Sequence, residues 1–133
     1  MIVDSSALIA IIQGEPGAHD LLAALQATTA PAISSATLTE ASIVADGSRD
    51  PVKIARFDDL VAAVGFDVVP LTATQAALAR QAYRDFGRGS GHPARLNLGD
   101  CFTYALAKER REPVLYVGED FSHTDLASAL GGG

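Results

Sequence analysis

The sequence lacks the features by which a chain crosses a membrane, carries disulfides or binds zinc. Cys101 is its only cysteine, which excludes an internal disulfide, and three histidines give no Cys/His cluster with zinc-ligand spacing. The longest apolar run is far too short for a transmembrane helix. The apolar first residues have neither the basic flank nor the cleavage site of a secretory signal. These absences predict a soluble protein of a reducing, cytoplasmic compartment.

Positive charge is also scarce, and it is unevenly distributed. The chain has a net charge of -6, which argues against a generic nucleic-acid coat. Residues 80–95 are nevertheless basic, because four arginines in this segment face a single acid, Asp85. The four are Arg80, Arg84, Arg88 and Arg95. An acidic protein with one basic stretch can still hold a phosphate backbone locally.

Aromatic residues make up only 6% of the chain, and they form no run that would serve as a base-stacking platform. The three tyrosines are therefore interpreted as core or interface residues. His92 and His123 are interpreted as loop or cap residues, with proton donation to a phosphate as the alternative. Cys101 is interpreted as a small buried hydrophobe.

What the chain does have is a regular alternation of strand-like and helix-like segments. Its 133 residues, 48% of them hydrophobic, predict one domain over residues 1–130, followed by a glycine tail at 131–133. The alternation predicts an α/β fold with a parallel sheet and helices on both faces. The predicted strands are 1–3, 31–35, 66–70 and 113–117. The predicted later helices are 72–86, 101–111 and a short last helix at 126–130, and Thr72 is the predicted cap of the first of these.

Asp4 stands at the first predicted junction between a strand and a helix. Residues 1–3 form an apolar run of the kind that fills a buried strand, and Ser5 and Ser6 are cap-type residues before an apolar helical segment. Because chemistry in open α/β sheets collects at the carboxyl ends of strands, Asp4 is expected to face that crevice. The alternative is that Asp4 only caps the helix.

Further acids follow the other strands. Glu40 lies in the helix after the second strand, Asp100 begins the helix before the fourth, and Glu119 and Asp120 follow the fourth. In a parallel sheet these places fall at one edge, where carboxylates repel one another unless a cation neutralises them. An all-oxygen ligand set favours Mg²⁺ or Mn²⁺ over zinc, and such ions support phosphodiester hydrolysis. The alternative for Glu40 and Glu119 individually is a solvated surface carboxylate.

Four segments carry a resemblance to a known family. They are IVDSSAL at residues 2–8, SATLTE at 35–40, LNLGDCFTYALA at 96–107 and LYVGEDFSHTD at 115–125. Together they resemble the PIN-domain ribonucleases, and most closely the VapC-type toxins of bacterial type II toxin-antitoxin pairs. The likeness spans nearly the whole chain, with the motifs in the family's order and at its spacing. Four motifs in sequence are specific, whereas any one alone is weak.

The resemblance implies a three-layer α/β/α PIN-like fold around a parallel sheet of four or five strands, although no fifth strand is evident after residues 126–130. It also implies a Mg²⁺-dependent RNA endonuclease, with Mn²⁺ as a second candidate metal, and a cognate VapB-like antitoxin as partner.

By position, the residues that match the family's acidic metal site are Asp4, Glu40 and Asp100. Ser6 matches a hydroxylated residue that supports this site. The fourth acid is Asp120, with Glu119 as its alternative, because the family pattern does not say which of the two side chains faces the metal. Asp125 is interpreted as a cap of the last helix or as a residue bonded to its own backbone.

These observations lead to one hypothesis and two rivals. The hypothesis is a metal-dependent endoribonuclease toxin, dimeric through its early helices, whose arginines at 80, 84, 88 and 95 grip RNA phosphates; the alternative for each arginine is a solubilising surface residue. A receiver-type signalling domain would need an acidic pair after the first strand and a lysine after the last, which the sequence lacks. The second rival is a catalytically silent PIN-like binding partner, and the intact pattern of acids favours the enzyme.

Overall fold

Strands and helices alternate in the computed structural model, which describes residues 1–131. The strands are β1 (Ile2–Val3), β2 (Ala32–Ser34), β3 (Asp67–Val69) and β4 (Val114–Leu115). The helices are α1 (Ser5–Gln13), α2 (Ala18–Ala27), α3 (Ser35–Gly47), α4 (Pro51–Val64), α5 (Ala73–Phe86) and α6 (Leu98–Arg110). Gly132 and Gly133 of the predicted tail lie outside the described residues. No helix among residues 1–131 combines the length and the apolarity needed to cross a bilayer.

The sheet is parallel throughout and has helices on both faces, so the predicted α/β class is confirmed. Its strand order is β3-β2-β1-β4. Helices α1 to α4 pack on one face, and α5 and α6 pack on the other. Side chains alternate along a strand, and each central strand therefore serves both cores. Val3, Ile33 and Leu115 face the first layer, and Ile2, Ala32 and Val114 face the second.

Helix α6 begins three residues earlier than the sequence predicted, which places Asp100 inside its first turn. Asn97 is the cap: its Oδ1 accepts a hydrogen bond from Asp100 N at 2.9 Å, and Asp100 Oδ2 accepts one from Asn97 N at 3.0 Å. This is a capping box built from Asn and Asp instead of the usual Ser or Thr with Glu or Gln. The reciprocal bonds fix the Asp100 side chain at the carboxyl edge of the sheet.

The predicted last helix over residues 126–130 is wrong, because this segment runs beside β4. Val114 N donates to Ala127 O at 2.9 Å, and Ala129 N donates to Val114 O at 2.8 Å. The pairing is a single parallel bridge between Val114 and Ser128. The final described segment therefore pairs with the edge of β4 at one position and forms no full fifth strand. Five residues are too few for a stable isolated helix, whereas the free edge of β4 offers backbone partners.

Asp125, predicted to cap that helix, instead anchors the final segment to α6. Its carboxylate accepts hydrogen bonds from the Tyr104 hydroxyl at 2.7 Å and from the Lys108 ammonium at 2.6 Å. Tyr104 is otherwise buried in the core beneath α5. The acid therefore satisfies the polar end of a core aromatic residue, which is a structural role.

Thr72 caps α5, as the sequence predicted, and its Oγ1 accepts a hydrogen bond from Gln75 N at 3.2 Å. We expect Thr72→Ala to lower the free energy of unfolding by about 1 kcal/mol, because this amide loses its acceptor at the start of the helix. Urea denaturation followed by circular dichroism measures the change. The matched control is Thr74→Ala, an exposed residue in the first turn of the same helix, where alanine should cost nothing. Equal losses in both variants would contradict the capping role.

Candidate functional site

Asp4 is both a helix cap and a buried carboxylate, so the two interpretations of its position are compatible. Its Oδ2 accepts a hydrogen bond from Ser6 N at 3.1 Å at the start of α1. Its Oδ1 accepts one from the Thr103 hydroxyl of α6 at 2.6 Å. Only 2% of the residue is exposed, whereas an acid that merely caps a helix normally lies in solvent. Asp4 therefore sits at the carboxyl end of β1, where both helical layers meet.

Burial raises the pKa of both Asp4 and Asp100. For Asp4, the loss of solvation outweighs the hydrogen bonds that favour its ionised form. For Asp100, burial and the nearby negative charges of Asp4 and Asp120 together bring the pKa to about 7. A carboxyl group that titrates near neutral pH marks a place where negative charge is crowded, as active sites often are.

Of the two acids that follow β4, Asp120 is the one that influences the buried acid Asp100. Asp120 is near enough to Asp100 for its negative charge to help raise the pKa of that group. Both residues are exposed, and Glu119 contributes to neither of the two pKa shifts. Its backbone oxygen accepts hydrogen bonds from Ser122 N at 3.2 Å and Ser122 Oγ at 2.7 Å. Ser122 thus closes a turn that begins at Glu119, and Asp120 follows within this turn.

Glu40 lies against the start of α6. Its Oε1 accepts a hydrogen bond from the Ser5 hydroxyl at 2.8 Å, and its carboxylate packs on the backbone of Gly99, beside Asp100. A methyl group at residue 99 would overlap the carboxylate atoms. Glycine at this position therefore lets the Glu40 carboxylate approach the backbone, and a larger residue would displace that carboxylate. Through these contacts Glu40 joins the same edge of the sheet as Asp4 and Asp100.

Hydroxyl groups link the elements that carry the acids. The predicted supporting residue, Ser6, accepts a hydrogen bond from Val117 N at 3.0 Å, just after β4. Sequence reasoning missed Thr37 and Thr103, which are fully buried and whose hydroxyl oxygens lie 3.3 Å apart. One signal for Thr103 was available, since it follows Asp100 by three positions and so shares its face of the helix.

The donor chemistry of this edge suits a hard divalent cation, because the crowded ligands are carboxylate oxygens. Within residues 1–131, however, no three His, Cys, Asp or Glu side chains stand where they would hold one ion together. Asp4 is turned toward Thr103 and Glu40 toward Ser5, so protein hydrogen bonds hold both carboxylates. The residues fit Mg²⁺ or Mn²⁺ by donor type and by charge, and the metal itself stays a prediction.

All four arginines of the basic stretch are exposed, and in the described part of the chain none forms an ion pair with an acid. Arg80 lines an apolar cavity of about 340 Å³ together with Tyr83, Leu98 and Phe102. It therefore lies near the start of α6, where Asp100 is placed. The loop that follows is ordered: Leu96 N donates to Phe86 O at 2.8 Å. The arginines are thus available to a partner or substrate.

The histidine of this loop and the single cysteine have structural surroundings. His92 Nδ1 accepts a hydrogen bond from Ala94 N at 3.1 Å, and its ring packs edge-on against Phe86 at 4.9 Å between centroids. Burial, together with the charge of Asp100, raises the pKa of the Cys101 thiol to about 11, so the thiol stays protonated. These contacts agree with a loop residue and a small buried hydrophobe.

The chain is similar to proteins of a known family over almost its whole length. Residues 1–126 match the PIN domain family. The chain is 52% identical over 130 residues to ribonuclease VapC28 of Mycobacterium tuberculosis, with 98% of each protein covered. It is 48% identical over 130 residues to ribonuclease VapC42 of the same species, covering 97% of this chain and 98% of that protein.

Its fold is similar to that of a chain in a toxin-antitoxin complex from Klebsiella pneumoniae, with a TM-score of 0.70 and 96% of each chain covered. The sequence identity in that comparison is 19%, so it shows the fold alone. The family match and the two sequence relatives decide the family. The chain therefore belongs to the PIN-domain family and, within it, to the VapC ribonucleases.

Proposed function

We propose that this chain is a Mg²⁺-dependent endoribonuclease toxin that hydrolyses RNA phosphodiester bonds and is neutralised by a cognate VapB-like antitoxin. The observation that carries the proposal is the crowding of acids at the carboxyl edge of the sheet. Burial is the main reason why the pKa of Asp100 is raised to about 7, and the charges of Asp4 and Asp120 add to it. The names of the sequence relatives support the ribonuclease activity. The structural neighbour belongs to a toxin-antitoxin complex, which supports an antitoxin as partner.

The residues proposed to hold Mg²⁺, or Mn²⁺ in its place, are Asp4, Asp100, Asp120 and Glu40. When bound, the ion supplies positive charge that lowers the pKa of water and stabilises the charge developing on a phosphodiester. The chain itself orients the carboxylates: Thr103 and Ser6 N donate to Asp4, and Ser5 donates to Glu40. Because Asp4 is buried, bulk water does not screen its charge, which strengthens each electrostatic interaction at this edge.

RNA is proposed to bind along the basic stretch, with the phosphates held by guanidinium groups. The acidic edge by itself repels a polyanion, so a chain of net charge -6 needs local positive charge to attract one. Arg88 and Arg95 lie on an ordered loop, since Arg88 N donates to Leu96 O at 3.1 Å. Arg80 and Arg84 extend the stretch along α5 toward the start of α6. Guanidinium groups suit bidentate hydrogen bonds to phosphate.

We further propose a homodimer, formed through an apolar patch on α3, α5 and α6 and not through the early helices. The patch consists of Ile43, Val44, Tyr83, Leu98 and Phe102. Ile43 is 64% exposed and Leu98 is 69% exposed, whereas α1 and α2 expose no large hydrophobic side chain in the described chain. Glu40 borders the groove on one side of the patch, and Arg80 borders the groove on the other.

RNA cleavage is expected to need both the metal and Asp120. The wild-type chain should cut structured RNA in Mg²⁺ and lose this activity in a chelator. Asp120→Asn should reduce the cleavage rate by more than about 100-fold, since even groups one step removed from a metal cost about 10- to 100-fold when lost. Glu119→Gln is the matched control and should stay active, because Glu119 contributes to neither pKa shift of the buried acids. Cleavage that is indifferent to the chelator and to Asp120→Asn, measured on gels, would refute the mechanism.

Asp100→Asn is expected to raise the melting temperature of the metal-free protein at pH 8. The folded-state pKa of Asp100 is about 7, against 3.8 for the free side chain. The stability linked to its proton is therefore present below pH 4 and is lost as the pH rises through 7. An amide does not titrate, and its oxygen can still accept from Asn97 N, so the cap survives.

Thermal melts from pH 4 to pH 8 with and without Mg²⁺ measure this effect. Mg²⁺ should stabilise the wild-type protein and leave Asp100→Asn unaffected. Asp58→Asn, on the exposed face of α4, is the control and should follow the wild type. A catalytically silent binding partner would gain nothing from crowded acids, and a melting temperature that ignores both pH and Mg²⁺ would favour that alternative.

Ile43→Asp is expected to convert the dimer to a monomer, because it places a charge on one of the most exposed apolar side chains of the patch. Light scattering after size exclusion gives the mass directly. Val52→Asp is the matched control: Val52 is 57% exposed on α4, outside the patch, and this variant should stay dimeric. A wild-type chain that runs as a monomer, or an Ile43→Asp variant that stays dimeric, would overturn the proposed contact.

A further inference from the structure

We infer that Thr103 is a positioning residue for the metal site, and that Thr37 and Thr103 form a buried chain of hydroxyl groups ending on Asp4. The inference rests on the proposed function, because it assigns a role in holding the acids that bind the metal. Thr103 is fully buried and therefore does not reach a bound substrate. It acts only through the carboxylate of Asp4.

The contact between Thr103 and Asp4 is short and completely enclosed. Thr103 Oγ1 donates to Asp4 Oδ1 at 2.6 Å, and Thr103 has no exposed surface. A hydroxyl that donates to a carboxylate is a charge-assisted hydrogen bond, which is stronger than a neutral one. The neighbours of Thr103 along α6, such as Ala105 and Leu106, are apolar and equally buried. Valine has the same β-branched shape and lacks only the hydroxyl group, so filling the space does not by itself require a hydroxyl at this position.

The direction of hydrogen-bond donation along the hydroxyl chain follows from the number of protons available. The hydroxyl oxygens of Thr37 and Thr103 are 3.3 Å apart, and from their positions either one is able to donate. In the metal-binding form the Asp4 carboxylate is ionised and has no proton to give, and a threonine hydroxyl has only one. The Thr103 hydroxyl therefore donates its proton to the hydrogen bond with Asp4, and Thr37 donates to Thr103. The order of donation is Thr37 to Thr103 to Asp4.

The hydroxyl chain connects three of the segments that carry the acids. Thr37 lies three residues before Glu40 on α3, and Thr103 lies three residues after Asp100 on α6. Asp4, at the junction of β1 and α1, accepts from α6 at one oxygen and from its own helix at the other. Donors on two different elements fix the plane of the carboxylate, and its remaining lone pairs are left for a ligand. The position of Asp4 is thereby coupled to that of Asp100.

The test uses Mn²⁺ alone as the probe, with its Kd measured by calorimetry on the full chain without RNA. Thr103→Val removes the donor and keeps the shape, and should raise the Kd by about tenfold or more. Thr103→Ser restores the hydroxyl and should return the Kd close to the wild-type value. Thr37→Val is the matched control, because it removes a hydroxyl from the same buried chain and leaves the bond to Asp4 intact. It should change the Kd much less than Thr103→Val does.

Circular dichroism shows whether each variant folds. If Thr103→Val does not fold, Thr103→Cys replaces it, since a thiol of similar size is a weak donor and should shift the Kd in the same direction. A wild-type chain that binds Mn²⁺ and a folded Thr103→Val or Thr103→Cys variant that binds it equally well would overturn the inference alone. A purely structural role predicts that result, with the melting temperature lowered alike in the Thr103 and Thr37 variants. A wild-type chain that binds no Mn²⁺ would overturn the proposed function, and this inference with it.

Discussion

The burial of one carboxylate, that of Asp4, is the constraint on which this domain depends. Removing a charged group from water costs free energy unless hydrogen bonds replace its hydration. Here the replacements are the Thr103 hydroxyl, which comes from α6, and the Ser6 amide, which comes from α1. The two donors belong to helices on opposite faces of the sheet, so the carboxylate is satisfied only when both layers are closed. The fold and the site therefore rest on the same contacts.

Crowding of negative charge at this edge opposes folding, and the rest of the molecule offsets it. Because the pKa of Asp100 is raised to about 7, ionising this residue at neutral pH lowers the free energy of unfolding. The central strands are buried on both faces and supply apolar surface to two cores, which is a large favourable contribution. Arrangements that lower stability in this way are typical of functional sites. The basic stretch begins on α5, and its first arginine, Arg80, lies near the start of α6, where Asp100 is placed.

Local patterns in the sequence determined most of the secondary structure and the class of fold. Thr72 caps α5 as predicted, Gly65 ends α4 in the left-handed conformation, and apolar strands alternating with helices gave the parallel sheet. The spacing of four acidic motifs also identified the family, which the sequence relatives confirm. Prediction failed at residues 126–130, where the free edge of β4 outcompeted a weak helix, and at the start of α6, where an unusual Asn–Asp capping box extends the helix.

What only the tertiary structure decided is which groups meet at the site. Caps, turns and periodic apolar faces act within a few residues, so a single sequence displays them. The bond from Thr103 to Asp4 spans 99 positions, and that from Ser5 to Glu40 spans 35. Contacts of this length depend on how two helical layers close over the sheet, and no local pattern encodes them. The hydroxyl chain and the influence of Asp120 on Asp100 therefore became apparent only once both layers were in place.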